Sequence, residues 1–207
     1  MMATQIDYYF TLISPFSYLG HQALMEVVRT HGSAIAYRPF NLFDVFKTSG
    51  AVPVPERPAP RQAYRLIELQ RIAHYRDLPL TLRPKHWPTN PSLANGAVAA
   101  IAREGGDPSA FMFSAFQACW VHDHDISDPA TISPLLEQAG HPVDATLAAA
   151  QSDAIVAEIA TNTEMAITAG AVGAPVYVLD GEPFWGQDRI DYLDHALATG
   201  RAAFSAD

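Results

Sequence analysis

Strand-forming segments occur at the two ends of this chain, and a long helical region separates them, which limits the fold to a few arrangements. Residues 6–13 are aromatic and β-branched, which is typical of a buried strand. Ser14 and Pro15 then fit the N-cap and the first position of a helix, and Gly32 fits the end of that helix. With residues 34–37 as a second strand, the N-terminal part of the chain predicts a βαβ unit.

The central region opens with residues 52–60, whose four prolines exclude a helix and favour an extended connector. Beyond this connector, apolar residues recur at helical spacing, and Asp107 and Asp128 each precede a proline, as helix N-caps do. Helices are therefore predicted over residues 61–76, 93–103, 108–121, 129–138 and 153–169.

The strand pattern returns with residues 176–179, which are β-branched and apolar. Asp180 and Gly181 are typical of a hairpin turn, and residues 184–185 belong to the returning strand. Pro183 places that strand at the edge of the sheet, because proline lacks the N–H that an inner strand needs. A last helix is predicted over residues 187–198.

These elements predict an α/β protein with a thioredoxin-like fold (βαβ–ββα) and a large α-helical insertion. We expect residues 1–50 and 171–207 to form the thioredoxin-like domain and residues 51–170 to form the inserted helical domain. Of the 207 residues, 49% are hydrophobic and 17% are charged, so the chain has enough apolar side chains for such a core.

Charge and hydropathy exclude two classes of partner. Asp and Glu outnumber Lys and Arg by 22 to 13, and a net charge of −9 repels the phosphate backbone of nucleic acids. No apolar run approaches the roughly 18–20 residues of a membrane span, and residues 1–7 lack the pattern of a signal peptide. We therefore expect a cytoplasmic protein that binds neither nucleic acid nor membrane.

The start of the first helix is a candidate site, because unpaired N–H groups and the helix dipole stabilise an anion there. Thioredoxin-like redox proteins hold a Cys-x-x-Cys pair at this turn, whereas Ser14 and Ser17 occupy both places here. The single cysteine, Cys119, fits a buried apolar helix face and permits no dithiol cycle within one chain. Helix capping alone is the alternative explanation of Ser14.

Three further segments carry polar or proline-containing motifs. In a thioredoxin-like layout Pro175 is typically cis and exposes the backbone of Ala174, and an ordinary proline at a strand start is the alternative. Gln187 and Asp188 either clamp the ammonium group of a ligand or form an ordinary acidic first turn. Residues 122–125 hold two His and two Asp, but no third ligand cluster accompanies them, so we expect an exposed polar turn and no metal.

Two motifs resemble a known family. Residues 14–20, Ser-Pro-Phe-Ser-Tyr-Leu-Gly, and residues 173–189, which run from Gly-Ala-Pro to Phe-Trp-Gly-Gln-Asp-Arg, look like the family of 2-hydroxychromene-2-carboxylate isomerases and kappa-class glutathione transferases. That family has a DsbA-like thioredoxin fold with a helical insertion, and the resemblance covers nearly the whole chain. It implies a homodimer that uses glutathione.

The resemblance implies a role for each matching residue. Ser14 would hydrogen-bond the glutathione sulfur and favour the thiolate, since a hydroxyl donor and the helix dipole both lower the pKa of a thiol. Ala174, before Pro175, would pair through its backbone with the cysteinyl part of glutathione. Gln187 and Asp188 would hold the γ-glutamyl end.

The remaining implied contacts line the cleft between the two lobes. Trp87 and Pro88 would form part of its wall. Lys47 lies near the connector and would bind a substrate carboxylate, with a solvated loop lysine as the alternative. Three positions depart from the family pattern, because Ala51 replaces an Asn, Ala174 a Val and Val176 a Thr. Ala51 and Val176 affect the expected substrate and glutathione contacts.

The expected function is a glutathione-dependent isomerase of the 2-hydroxychromene-2-carboxylate type, which acts on a small aromatic-derived 2-oxo acid in aromatic catabolism. Reversible addition of a thiolate would make the C=C bond single and allow cis/trans isomerisation. A kappa-like glutathione transferase or peroxidase is the alternative. A DsbA-like disulfide oxidoreductase and a non-catalytic glutathione-binding module are further alternatives, and the absence of a Cys-x-x-Cys pair argues against the former.

Overall fold

The computed structural model describes residues 4–206, which fold around one four-stranded sheet. The strands lie in the order β2-β1-β3-β4, and they are β1 (Gln5–Phe10), β2 (Ala34–Pro39), β3 (Val176–Leu179) and β4 (Glu182–Trp185). Strand β2 is parallel to β1, whereas β3 is antiparallel to both β1 and β4. This mixed sheet confirms the predicted thioredoxin-like arrangement. Residues 1–3 and 207 of the predicted thioredoxin-like domain lie outside the described residues.

Most of the described chain is helical. The α-helices are α1 (Pro15–His31), α2 (Leu42–Ser49), α3 (Ala59–Tyr75), α4 (Ser92–Arg103), α5 (Ser109–Trp120), α6 (Pro129–Gln138), α7 (Val143–Ala150), α8 (Asp153–Thr168) and α9 (Ile190–Thr199). Helices α3 to α8 form the insertion between β2 and β3 that the sequence predicts. Within residues 4–206, none of these helices combines the length and the hydropathy needed to cross a membrane.

Helix α1 begins and ends where the sequence predicts. The Ser14 side chain caps it by accepting the N–H of Ser17 at 3.2 Å, and Pro15 takes the first helical position. Gly32 ends it in the left-handed conformation, with φ of 60°, which glycine adopts without a steric penalty. Helix α1 therefore has a fixed start, directly beside β3 and the chain that precedes it.

Strand β1 is shorter than predicted, since it ends at Phe10 rather than at residue 13. Asn95 of α4 explains the difference. Its side-chain oxygen accepts the N–H of Leu12 at 3.0 Å, and its amide nitrogen donates to the Thr11 hydroxyl at 3.2 Å. These bonds replace the partner strand that residues 11–13 would need, and the chain passes directly into Ser14.

The predicted connector and the last predicted helix need correction. One 3₁₀ turn, Val54–Glu56, lies within the connector, and α3 begins inside it at Ala59 because proline is compatible with the first turn of a helix. The last helix divides into a 3₁₀ turn, Gln187–Arg189, followed by α9. Helices α2 and α7 were not predicted. The other boundaries agree with the prediction within two residues.

The hairpin at the C-terminal end follows the prediction. Asp180 and Gly181 form the turn with positive φ values of 50° and 86°, as a tight two-residue hairpin requires. Pro183 lies in β4, which is an edge strand, as predicted. A residue without a backbone N–H is tolerated there because one side of an edge strand has no partner strand.

One hydrophobic core joins the sheet to the central helices. It contains Tyr8 and Tyr177 from the strands, Leu69 from α3, and Phe116 and Trp120 from α5, all of them without measurable exposure. Side chains of the insertion thus share their buried surface with the sheet. The boundaries of the two predicted domains stay a prediction.

Helix α4 packs so closely on the end of α7 that Gly96 has no room for a side chain. A Cβ atom at this position would overlap the carbonyl oxygen of Ala150. We predict that Gly96→Ala lowers the free energy of unfolding by about 1–3 kcal/mol, because overpacking forces the two helices apart. Helix propensity alone predicts the opposite sign, a gain of about 1 kcal/mol, so urea unfolding decides between the two.

Candidate active site

The start of α1, the segment before β3, the β4–α9 junction and the first part of α3 enclose a cleft of about 600 Å³. Of the side chains predicted for the site, six line this cleft: Ser14, Trp87, Pro88, Ala174, Gln187 and Asp188. Pro175 lies behind Ala174 and is buried, and Lys47 is not among the lining residues. The fold thus brings together residues that are separated by most of the chain.

The Ser14 hydroxyl is both a hydrogen-bond donor and a hydrogen-bond acceptor in this cleft. Its oxygen accepts the N–H of Ser17, and its hydroxyl donates to the carbonyl oxygen of Ala174 at 3.3 Å. Pro15 has no N–H, and the N–H of Phe16 has no hydrogen-bond partner among residues 4–206. The helix start therefore offers one free N–H beside one hydroxyl, a pair of donors suited to an anion.

The second serine of the turn has a different environment. Ser17 is fully buried, does not line the cleft, and its hydroxyl oxygen has no hydrogen-bond partner within the described chain. Only the first of the two positions that hold cysteines in redox relatives of this fold therefore faces the cleft.

The segment before β3 lies against the start of α1. The bond between Ala174 and Pro175 is cis, as the layout predicts, and the Pro175 carbonyl accepts the N–H of Gly186 at 2.9 Å. Gly173 is close to Trp185, since a Cβ atom there would lie 2.8 Å from the indole nitrogen. These contacts fix the backbone of Ala174 at the cleft wall.

Gln187 and Asp188 enter the cleft from the β4–α9 junction in different ways. Gln187 is only 6% exposed, and its backbone and side-chain oxygens both accept hydrogen bonds from Arg76, at 3.2 and 3.3 Å. The Asp188 carboxylate is exposed and pairs with Arg189 at 2.5 Å. Gly186, with φ of 104°, permits the turn that brings Asp188 into this position.

Trp87 is held at the cleft wall by a hydrogen bond and an aromatic contact. Its indole N–H donates to the carbonyl of Ile13 at 3.0 Å, directly before Ser14, and its ring lies 5.8 Å from that of Trp120. The bond between Trp87 and Pro88 is also cis. One aromatic face thus stands next to the start of α1.

The cationic lining of the cleft was not predicted. Of the described residues, four arginines and two carboxylates line it, namely Arg57, Arg61, Arg65, Arg189, Glu68 and Asp188. The cleft is therefore locally positive, although the whole chain carries a net charge of −9. The sequence did contain a signal, because arginines recur at residues 57, 61 and 65, a spacing that places those within α3 on one helix face.

Arg65 is the most buried of these cations. It is 8% exposed, and its guanidinium carbon lies 5.1 Å from the ring centroid of Trp87 and 6.0 Å from that of Phe16. Burial, and to a smaller extent the charge of Arg57, lowers the pKa of Arg65 to about 10. The group therefore keeps its charge at neutral pH.

Lys47 lies on helix α2 and not in a loop. Lys47 lies in the last turn of this unpredicted helix, and its ammonium pairs with Asp44 at 2.5 Å while the side chain stays 75% exposed. Helix α2 instead presents Phe43 and Phe46 to the cleft. The contact between Lys47 and a substrate carboxylate stays a prediction.

Two other predicted features lie away from the cleft. Cys119 is 1% exposed in α5, as expected, and burial and then the charges of Asp125 and Asp123 raise the pKa of its thiol to about 12. The carboxylate of Asp125 accepts hydrogen bonds from Thr89 and Ser127. In the part of the chain that the structure describes, no group of three or more His, Cys, Asp or Glu side chains could hold a metal ion.

Comparisons with known proteins find similarity over almost the whole chain. A family model described as a DSBA-like thioredoxin domain matches residues 5–198. A 2-hydroxychromene-2-carboxylate isomerase of Sphingobium xenophagum is 30% identical over 95% of this chain and 99% of its own. Glutathione S-transferase kappa 1 of Caenorhabditis elegans is 28% identical over 93% of this chain and 90% of its own.

Solved structures give the same fold. The structure of a 2-hydroxychromene-2-carboxylate isomerase has a TM-score of 0.75 and 26% identity, and the match covers 94% of this chain and 95% of that one. A cytosolic disulfide reductase DsbM from Pseudomonas aeruginosa has a TM-score of 0.70 at 17% identity, over 95% of this chain and 98% of its own, which shows a common fold.

The buried thiol makes a direct prediction. With a pKa of about 12 and almost no exposed surface, Cys119 should not react with Ellman's reagent at pH 8 while the protein is native, because the thiolate is the reacting form. In guanidinium chloride the same sample should release one equivalent of chromophore per chain. Rapid stoichiometric labelling of the native protein would contradict the position of Cys119 in the core.

Proposed function

The chain belongs to the DsbA-like thioredoxin family, in the group of 2-hydroxychromene-2-carboxylate isomerases and kappa-class glutathione transferases, and from this we propose that it is a glutathione-dependent isomerase. Its substrate would be an aromatic-derived 2-oxo acid of the 2-hydroxychromene-2-carboxylate type. The proposal includes a cytoplasmic homodimer that acts in aromatic catabolism, and that part rests on the resemblance alone.

One observation carries the proposal. The serine at the start of α1 faces a locally cationic cleft, while the only cysteine of the chain, Cys119 on α5, is buried in the hydrophobic core. A thiol that reacts in this cleft must therefore come from a ligand, and Ser14 with the free N–H of Phe16 is suited to hold its anionic form.

The residues of the cleft fit glutathione, which carries a thiol, an ammonium and two carboxylates. The exposed carboxylate of Asp188 can accept an ammonium in addition to Arg189, and the arginines can bind carboxylates. The backbone of Ala174 is available for peptide pairing at the cleft wall. A volume of about 600 Å³ lies within the usual range for small-molecule sites.

Glutathione, when bound, supplies a thiolate that adds reversibly to a conjugated C=C bond, which allows rotation before the thiolate leaves. Ser14 would turn its hydroxyl proton from the Ala174 carbonyl, 3.3 Å away, towards the sulfur. Its oxygen would still accept the Ser17 N–H, so the helix cap would be retained while the donor changes partner. Phe16 and Trp87 would exclude water from the aromatic part of the substrate.

A kappa-like transferase is the second candidate, and the kappa relative supports it. The same cleft would stabilise the same thiolate in both enzymes. An isomerase releases a product with the mass of its substrate, whereas a transferase releases a glutathione adduct. The reactive dithiol of a disulfide oxidoreductase has no counterpart at the start of α1, where both positions are serine.

We predict that purified protein interconverts 2-hydroxychromene-2-carboxylate and trans-o-hydroxybenzylidenepyruvate only when glutathione is present. Ser14→Ala should lower kcat about 10²- to 10³-fold, the usual effect of removing one preorganised donor. Ser17→Ala is the matched control, because this buried hydroxyl has no contact with the cleft. Equal rates with and without glutathione would remove the cofactor from the proposal, and a stable adduct in the mass spectrum would favour the transferase.

The γ-glutamyl contact is tested by titration calorimetry without substrate. Asp188→Asn should weaken glutathione binding by about 10- to 100-fold, the range for losing a charged hydrogen bond. Asp191→Asn, an exposed carboxylate in the first turn of α9 outside the cleft, is the control and should bind like the wild type. The proposed orientation would be contradicted if both variants bind glutathione like the wild type. It would also be contradicted if both variants lose glutathione binding to the same extent.

A further inference from the structure

We propose that Arg65, between the rings of Phe16 and Trp87, forms a slot for a planar aromatic carboxylate. We call these three residues the aryl-carboxylate slot. We further infer that the slot holds the carboxylate of the substrate acid and not a carboxylate of glutathione. This second part rests on the proposed function, whereas the binding of an aromatic carboxylate does not.

The charge of Arg65 has no anionic partner in the protein. Among residues 4–206 its guanidinium makes no hydrogen bond or ion pair, although 92% of the residue is removed from solvent. Glu68, one turn further along α3, pairs with Arg71 instead. Since burial of an unpaired charge is unfavourable, a partner that arrives with a ligand explains this arrangement.

The surroundings of Arg65 increase its attraction for an anion. Arg57 and Arg61 also line the cleft, and the positive charge of Arg57 acts directly on Arg65. Arg57 donates from its Nε to the Val52 carbonyl, and Arg61 is exposed at the rim. Arg65 is therefore the cation that water screens least, and its attraction for a carboxylate is correspondingly strong.

The two aromatic rings give the slot its shape. The guanidinium carbon of Arg65 lies 5.1 Å from the Trp87 centroid and 6.0 Å from the Phe16 centroid. A guanidinium that contacts aromatic faces keeps its in-plane N–H groups for a bidentate bond to a carboxylate. The same rings can pack against a flat conjugated acid, so the slot favours aromatic over aliphatic carboxylates.

The position of the slot assigns it to the substrate. Phe16 follows Ser14 by two residues, and the Trp87 indole is bonded to Ile13, the residue before Ser14. Arg65 contacts both rings, so a chain of direct contacts links its guanidinium to the start of α1. In a conjugated 2-oxo acid the carboxylate is only a few bonds from the reacting C=C bond, which suits a carboxylate site in the same cleft as Ser14. The exposed Arg61 and Arg189 remain for the carboxylates of glutathione.

Calorimetry with an unreactive probe tests the slot without turnover. Trans-cinnamate should bind the protein in the absence of glutathione, and its methyl ester should bind about 10- to 100-fold more weakly because it lacks the charge. Arg65→Gln should weaken cinnamate binding by the same factor and abolish the preference over the ester. Arg65→Lys, which keeps the charge without the planar fork, should give an intermediate affinity and guards against failure of the first variant to fold.

Arg29→Gln is the matched control, because Arg29 pairs with Glu26 on the surface of α1, about 20 Å along the helix from its start. It should leave the binding of cinnamate and of glutathione unchanged. The affinity of Arg65→Gln for glutathione should stay within about twofold of the wild type, and the KM of the acid substrate should rise about 10- to 100-fold.

The possible results distinguish a failure of the aryl-carboxylate slot from a failure of the proposed function. Equal binding of cinnamate and its ester by the wild type would overturn the slot. A preference for cinnamate that Arg65→Gln leaves intact would overturn it as well. If Arg65→Gln instead weakens glutathione binding tenfold, Arg65 serves the cofactor and the assignment to the substrate is wrong. If the wild type isomerises nothing but keeps an Arg65-dependent preference for cinnamate, the slot stands and the proposed function fails.

Discussion

The hydrogen bonds of Ser14 join parts of the chain that are 160 residues apart in sequence. Its oxygen closes the first turn of α1, and its hydroxyl reaches the carbonyl of Ala174 in the segment before β3. The N-terminal βαβ unit and the C-terminal hairpin therefore meet at the Ser14 side chain and along the backbone pairing of β1 with β3, which gives the sheet order β2-β1-β3-β4. Ser14, Ala174 and Asp188 line the cleft from the two segments that this hydrogen bond and the β1–β3 pairing bring together.

Most of the fold could be predicted because its signals are local. Ser14 with Pro15, Asp128 with Pro129, and Asp180 with Gly181 each specify a helix start or a turn through the chemistry of a few neighbouring residues. The cleft residues of segments 14–20 and 173–189 were identified from short motifs that resemble those of a known family. Their assembly into one cavity is a property of the fold, and the motifs pointed to it only through the family they resemble.

The remaining parts could not be predicted because they depend on distant contacts. Strand β1 ends early because of Asn95, which is more than 80 residues away in sequence. Helix α2 is short, and the sequence alone did not reveal that Lys47 lies on it and pairs with Asp44. The burial of Arg65 follows from how α3 packs near Phe16 and Trp87, and nothing in the sequence around Arg65 distinguishes it from an exposed arginine. The spacing of Arg61 and Arg65 gave a hint of the helix face, but not of its surroundings.

The burial of Cys119 has a consequence for how such a protein would withstand oxidants. A catalytic cysteine that is converted to a sulfinic or sulfonic acid is lost until new protein is made. Here the sulfur of the single cysteine, Cys119, is buried in the core. In the proposed reaction the nucleophilic sulfur belongs to glutathione, which exchanges with a cellular pool. An oxidised glutathione molecule would dissociate and a reduced one would take its place. Oxidation of the nucleophile would therefore not inactivate the enzyme. Its rate would instead follow the concentration of reduced thiol in the surrounding solution.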